Sequence, residues 1–365
     1  MLAVSAAVLF GVLYVLVISI PPGASNRGSW RTTNFGSAVD DPASFLRILL
    51  DSVTFAGALF IVASGFALIF GLMRVVNMAH GSLYLLGGYI AYEIQQAMTG
   101  QGFSVLGSEV NTWEWLVPLV VAAPAIAVVG LVTQQVFLRW NQGQELRQAL
   151  ITIAISVIIA DQIIAHFPRS VGVGAQPFGG SQVALTWPGW TTRFVDLHVW
   201  GVQYSLARLV MLAIGVAVGV GLWVWLYRTK IGMVIRAGVD DQQMTSALGI
   251  NIQRTFALAF VVGSALAALG AVVWGSQAAL AGGQDGQWLL NSLVVVIVGG
   301  MGSIFGAAAG ALLYAFVLNF TASYLPQTGD LSTSNCCTQY SIVFTFILIA
   351  LVLAFRPQGL FGRPG

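Results

Sequence analysis

The amino-acid sequence predicts an all-α fold, a polytopic helical membrane protein of about eight to ten transmembrane helices. Three observations predict it. Hydrophobic residues make up 57% of the 365 and charged residues only 8%, whereas soluble domains carry about 25% charged residues. Apolar runs recur near the roughly 20 residues that cross a bilayer as helix. Glycines fall four apart, as at Gly215 and Gly219 or at Gly302, Gly306 and Gly310, a spacing that lets membrane helices approach closely.

Candidate spans run at about 2–20, 50–71, 79–97, 116–138, 149–165, 204–227, 255–274, 286–299, 303–325 and 340–355. The first lacks the positive n-region and short core of a signal peptide and reads as a retained span. The span at 286–299 is short for a full crossing. With ten spans, Arg139 and Arg147, then Arg228, Lys230, Arg236 and Arg254, and finally Arg356 and Arg363 fall on one side, which the positive-inside rule makes cytoplasmic. That places 228–254 and both termini inside, and the loops 21–49 and 166–203 outside. Arg27, Arg31, Arg169 and Arg193 fall outside, in the longest loops, where the rule weighs least. A net charge of +2 leaves no nucleic-acid footprint. The adjacent Cys336 and Cys337 have no metal or redox spacing and read as ordinary thiols, since vicinal residues meet disulfide geometry poorly.

Between two apolar runs lies a polar island, RAGVDDQQMTSALGIN, from Arg236 to Asn251. Its chemistry describes a short helix with defined ends. Asp240 is placed as N-cap with Gln243 at N3, Val239 and Met244 as the hydrophobic staple, and Gly249 as the left-handed C′ residue. Asp241 and Leu248 complete the segment. A membrane protein that builds a capped helix outside the bilayer presents it to something.

From Phe55 to Tyr92 the only formal charge is Arg74. As one helix this stretch would reach roughly 57 Å, nearly twice the hydrocarbon core, so it must turn back. The turn falls in GLMRVVNMAHG, where Arg74, Asn77 and His80 are spaced by three and Gly81 follows. Two readings stay open: an interfacial hairpin whose arginine anchors at the headgroups, or a broken helix whose polar groups line a substrate path. A second uncharged stretch, Gly286 to Gly329, turns around Gly299, Gly300 and Gly302. With Gly306 and Gly310 these glycines read as packing or hinge positions. Both stretches run on into small-residue, Tyr-containing helices, GSLYLLGGYIAY and GAAAGALLYAF, a hint of internal duplication.

These segments resemble a known family. GFALIFGLMRVVNMAHGSLYLLGGYIAY, RAGVDDQQMTSALGINIQRTFALAFVVGSALAALGAV, LVVVIVGGMGSIFGAAAGALL and LVLAFRPQGLFG look, in that order, like the signatures of LivH-type permeases of branched-chain amino acid ABC importers. The resemblance spans roughly 50–362 and implies a single permease domain over 1–365, type II ABC importer-like, in a bacterial cytoplasmic membrane. It implies a heterodimer with a LivM-type permease, two cytoplasmic ATPase subunits carrying ATP and magnesium, and an extracytoplasmic solute-binding protein. The chain itself would hold no cofactor or metal. No Gly-x4-Gly-Lys-Ser/Thr loop occurs in it, so ATP chemistry would come from another polypeptide. The resemblance assigns Arg236, Asp240, Asp241, Gln243, Met244, Leu248 and Gly249 to ATPase coupling.

Related permeases for urea and short-chain amides share NMAHG, so they stand as an alternative. An ion-coupled secondary transporter would keep intramembrane carboxylates, whereas here carboxylates cluster at predicted loops and span ends. A membrane enzyme would need converging catalytic groups, and His80, His166 and His198 are scattered.

Overall fold

The structure, a computed structural model, describes residues 42–73, 76–99, 110–141, 143–166, 182–196, 201–324, 346–347, 350–352, 354–356 and 358–361. The predicted span at 2–20, Arg74, Cys336, Cys337 and much of the predicted span at 340–355 lie outside these residues.

Helix α1, Pro42–Met73, runs for 32 residues, about 48 Å. It begins before the predicted 50 because Arg47 and Asp51 interrupt the apolar run without interrupting the helix. Pro42 sits at its first position, where a missing N–H costs nothing. Helix α2, His80–Thr99, turns back alongside it. Helix α3, Thr112–Val132, opens with the Glu114 carboxylate accepting from the Asn111 N–H at 2.8 Å. It ends in a π-helical turn at Thr133–Leu138, and α4, Glu145–His166, follows.

Short strands β1 (Gln182–Val183), β2 (Phe194–Asp196) and β3 (Gln203–Ser205) come next. Then come α5 (Leu206–Arg228), α6 (Lys230–Asp240), α7 (Gln242–Ala247) and α8 (Ile252–Gly275). Strand β4 (Leu280–Ala281) leads to α9 (Asp285–Gly299) and α10 (Ile304–Tyr324). Strands β1 and β4 pair antiparallel, as do β2 and β3. The fold is a multi-span helical bundle.

Among the described residues, six helices are long and apolar enough to cross a membrane: α1, α3 with its π turn, α4, α5, α8 and α10. Helix α9 has only 15 residues. Helix α2 carries Glu93, Gln95 and Gln96, yet its first half is buried in the bundle. Helices α1 and α8 form the centre, with 78% and 72% of their most apolar windows buried, against 11% for α4 and 22% for α5. The last two turn apolar faces outward, as lipid allows.

Small residues set the central crossings. A Cβ on Gly65 would strike the Gly263 carbonyl oxygen, and one on Gly87 would meet Ala268 Cα at 2.7 Å. Gly306 and Gly310 of α10 face α9 at Gly299 and at the Val295 carbonyl, while Gly302 turns away toward Gly71 and Val239. The four-residue ladder is therefore split between two neighbours. Gly310→Val would press into the α9 backbone, with Gly299 N already 3.1 Å from an added Cβ. We expect it to cost about 1–3 kcal/mol, read as a lower thermal midpoint of the purified protein. An unchanged midpoint would refute this packing.

The last described residues close the same hairpin. The N–H groups of Leu360 and Phe361 donate to the Val298 and Gly299 carbonyls, each at 2.9 Å. They satisfy acceptors that the end of α9 leaves open.

Candidate functional site

The first candidate region is the break between α1 and α2. His80 Nε2 lies 3.0 Å from the Val62 carbonyl, and Phe66 packs edge-on to the ring at 5.4 Å. Helix α1 continues past Val62 to Met73, a further distance of about 16 Å. The chain therefore comes back by that depth before α2 begins. Non-helical backbone at such depth stands only where protein or a wet cavity surrounds it. Here the Met78 N–H donates to Thr152 Oγ1 at 3.2 Å and the Ala79 N–H to Asn77 Oδ1 at 3.1 Å. Asn77 and His80 are buried, and Asn77 Nδ2 and His80 Nδ1 find no partner among the described residues.

At this depth the start of α2 crosses the start of α9. Gly81 lies on the Asp285 backbone, with no room for a Cβ, and Leu289 Cβ would sit 3.1 Å away. Ser82 Oγ donates to Asp285 Oδ2 at 3.0 Å and meets Ser156 Oγ at 2.7 Å. A carboxylate at two helix N-termini is favourably placed against both dipoles. The sequence reading passed over Asp285, although it is the last charge before the uncharged stretch.

The second region is the polar island, which the structure divides between two helices. Arg236 and Asp240 belong to the end of α6, and α7 begins only at Gln242. The N-cap is Asp241, not Asp240: Asp241 Oδ1 accepts from the Met244 N–H at 3.0 Å. Gln243 therefore sits at N2, no capping box forms, and Met244 occupies N3. The physical reason is that Asp240 finishes the preceding helix, so only Asp241 has the extended backbone an N-cap needs. Gly249 follows the helix with φ +83° and open space around it.

The island is fastened to the bundle. Gln242 Nε2 donates to the Leu72 carbonyl at the end of α1. Arg236 stacks on Tyr227 at 4.4 Å. A Cβ on Gly302 would lie 3.4 Å from Val239, and one on Gly71 would lie 2.7 Å from the Gly302 Cα. Gly300 and Gly302 take φ +109° and +79° in the turn between α9 and α10. The island, the end of α1 and the α9–α10 turn thus form one packed unit. Met244 and Leu248 point outward from it, 66% and 79% exposed.

The third region went unnoticed as a unit in the sequence. At the opposite end of the bundle, a cavity of about 700 Å³ opens among α1, α5, α8, α9 and α10. Asp51 and Arg208 line it as an ion pair. Nothing in the sequence joins these two residues, because 157 positions separate them. Behind them Tyr204 Oη meets Thr54 Oγ1 at 2.9 Å. Phe55, Trp274 and Trp288 form an apolar wall, with Phe55 and Trp274 ring centroids 4.8 Å apart. Tyr314 donates to Asn291 Oδ1 at 2.7 Å on another side.

With this geometry described, similarity to known proteins decides the family. Residues 48–353 match the family BPD_transp_2, described as branched-chain amino acid transport system / permease component. The chain belongs to that family. It is 28% identical over 325 residues to the high-affinity branched-chain amino acid transport system permease protein BraD of Pseudomonas aeruginosa, covering 88% of this chain and 96% of that one. It is 27% identical over 326 residues to the corresponding permease protein LivH of Escherichia coli, with the same coverage. It is 26% identical over 331 residues to LivH of Salmonella typhimurium, again across 88% and 96%. Among solved structures, PsaBC from Streptococcus pneumoniae in complex with Fab gives a TM-score of 0.45 at 10% identity, over 87% of this chain and 95% of that one. That likeness is too distant to place any element of this permease.

Proposed function

We propose that this permease is the membrane-spanning subunit of an ATP-driven importer for branched-chain and other hydrophobic amino acids. It works in a bacterial cytoplasmic membrane beside a LivM-type second permease and receives substrate from an extracytoplasmic binding protein. Two cytoplasmic ATPase subunits, loaded with ATP and magnesium, drive it through α6 and α7. Asn77, His80 and Gly81, with Arg74 before them, belong to the substrate path.

The observation that carries this reading is the exposed pair Met244 and Leu248 on a helix capped at both ends and tied to Leu72. Two large apolar side chains offered to water outside the membrane mark an interaction site. Their anchoring to α1 and to the α9–α10 turn gives a partner's motion a rigid route into the bundle. Relatives named for branched-chain amino acid transport supply the substrate class.

Leucine, isoleucine and valine uptake by cells expressing the full set of subunits tests the proposal. Leu248→Glu, which puts a charge at the apolar contact, should lower ATP-driven uptake by about tenfold or more, the loss of one interface anchor. The permease should remain in the membrane, and the ATPase subunits should no longer copurify. Uptake that persists without the ATPase subunits, or an unimpaired Leu248→Glu transporter, would overturn it.

A further inference from the structure

The cavity between Asp51 and Asn291 has the makings of a ligand site that the coupling argument does not use. Its volume, about 700 Å³, lies within the roughly 300–1,000 Å³ of small-molecule pockets. Its lining follows helical faces. Asp51, Thr54 and Phe55 share one face of α1, Arg208 and Met211 share one of α5, and Gln287, Trp288 and Asn291 share one of α9. Such spacing aims several side chains from separate helices at one volume.

The ion pair is not needed to hold α1 against α5. Farther along the same two helices, a Cβ on Gly215 would lie 2.9 Å from the Gly57 Cα. That backbone-to-backbone contact already fixes the crossing. Asp51 and Arg208 are also about one-third exposed, at 31% and 34%, and exposed pairs of this kind stabilise little. What they provide is a matched anion and cation at the mouth of an aromatic chamber.

We propose that Asp51 and Arg208 clamp the zwitterionic head of a free amino acid while Phe55, Trp274 and Trp288 receive its aliphatic side chain. The α-carboxylate sits on Arg208, whose five N–H donors can hold Asp51 and a second carboxylate together. The α-ammonium sits on Asp51. Both the empty and the loaded site are electrically neutral, because a zwitterion inserted into an ion pair adds no net charge. Neither state therefore leaves a charge unpaired in a partly desolvated place. One helical turn separates Asp51 from Phe55, about 6 Å, which suits a short aliphatic side chain. Tyr204 lies under Arg208 at 5.8 Å and braces it toward the cavity. The clamp is a specificity element for the head group, and the aromatic wall one for side-chain size. The inference rests on the amino-acid importer reading above.

The test uses the whole transporter in proteoliposomes, with binding protein, ATP, and leucine or valine as substrate. If the wild type takes up neither, the importer reading fails and the clamp, which rests on it, fails with it. With wild-type uptake in hand, Asp51→Asn and Arg208→Gln should each reduce it by about tenfold or more, as expected when a polar site loses its matching group. The charge swap D51R/R208D restores the pair, so the subunits should still copurify while uptake stays low. Phe55→Trp, which shrinks the apolar end, should lower the leucine-to-valine uptake ratio by about tenfold, within the range that one methylene commands. Wild-type uptake by the charge swap, or swap-induced loss of binding-protein docking, would overturn the clamp. So would an unchanged leucine-to-valine ratio in Phe55→Trp, which decides the matter alone if the charge variants do not assemble.

Discussion

Gly81→Val is expected to abolish transport, because no branched side chain fits where α2 crosses α9. An added Cβ would run into the Asp285 backbone carbonyl and lie 3.1 Å from Leu289 Cβ. Neither is the far end of a flexible side chain. The start of α2 can retreat little, since the His80 ring sits beside the Val62 carbonyl and Ser82 donates to Asp285. Overpacking at such a site costs about 1–3 kcal/mol and often more when backbone must move. The cost should appear as a lower thermal midpoint of the purified transporter and as absent leucine uptake. Gly221→Ala is the control: it lies on α5 with open space around it, and it should match or exceed wild-type stability by about 0.5–1 kcal/mol. Wild-type uptake in Gly81→Val would mean that the two helix starts do not meet as described.

The sequence made the bundle legible because a bilayer imposes a coarse rule: length and apolarity mark a helix, and glycines four apart mark its close contacts. It also showed that 71–81 must turn. It did not show that the turn lies deep, since depth depends on which carbonyl His80 reaches, and Val62 is 18 residues away in sequence. The cap of α7 was misplaced by one residue for a local reason. Asp240 and Asp241 are equivalent as capping chemistry, and only the end of α6 decides between them. Asp51 and Arg208 stayed invisible as a pair because each, alone, reads as an ordinary charge at a helix end. Polar pairs between distant helices carry no periodicity to find them by.

The cap assignment leads to the second large effect. Helix α7 has six residues, far below the roughly 12–15 that sustain an isolated helix, so its two ends decide whether it forms. Asp241→Ala removes the acceptor for the Met244 N–H, worth about 1 kcal/mol. Gly249→Val puts a β-branched side chain at φ +83°, worth about 1–2 kcal/mol, and open space there means that no steric clash confuses the reading. The double variant should melt α7 while leaving the membrane helices folded, because the Gln242 tether sits at its first residue and the Val239 contact lies before it. Hydrogen exchange at residues 244–248 should quicken by about ten- to a hundredfold, with no change in α8. Binding of the ATPase subunits and ATP-driven uptake should both be lost, since Met244 and Leu248 would no longer share a fixed face. Asp240→Ala keeps the cap, so it should leave exchange at 244–248 near wild type. If Asp240→Ala opens the segment and Asp241→Ala does not, the cap belongs where the sequence first put it; if neither opens it, α7 is not held by this cap at all.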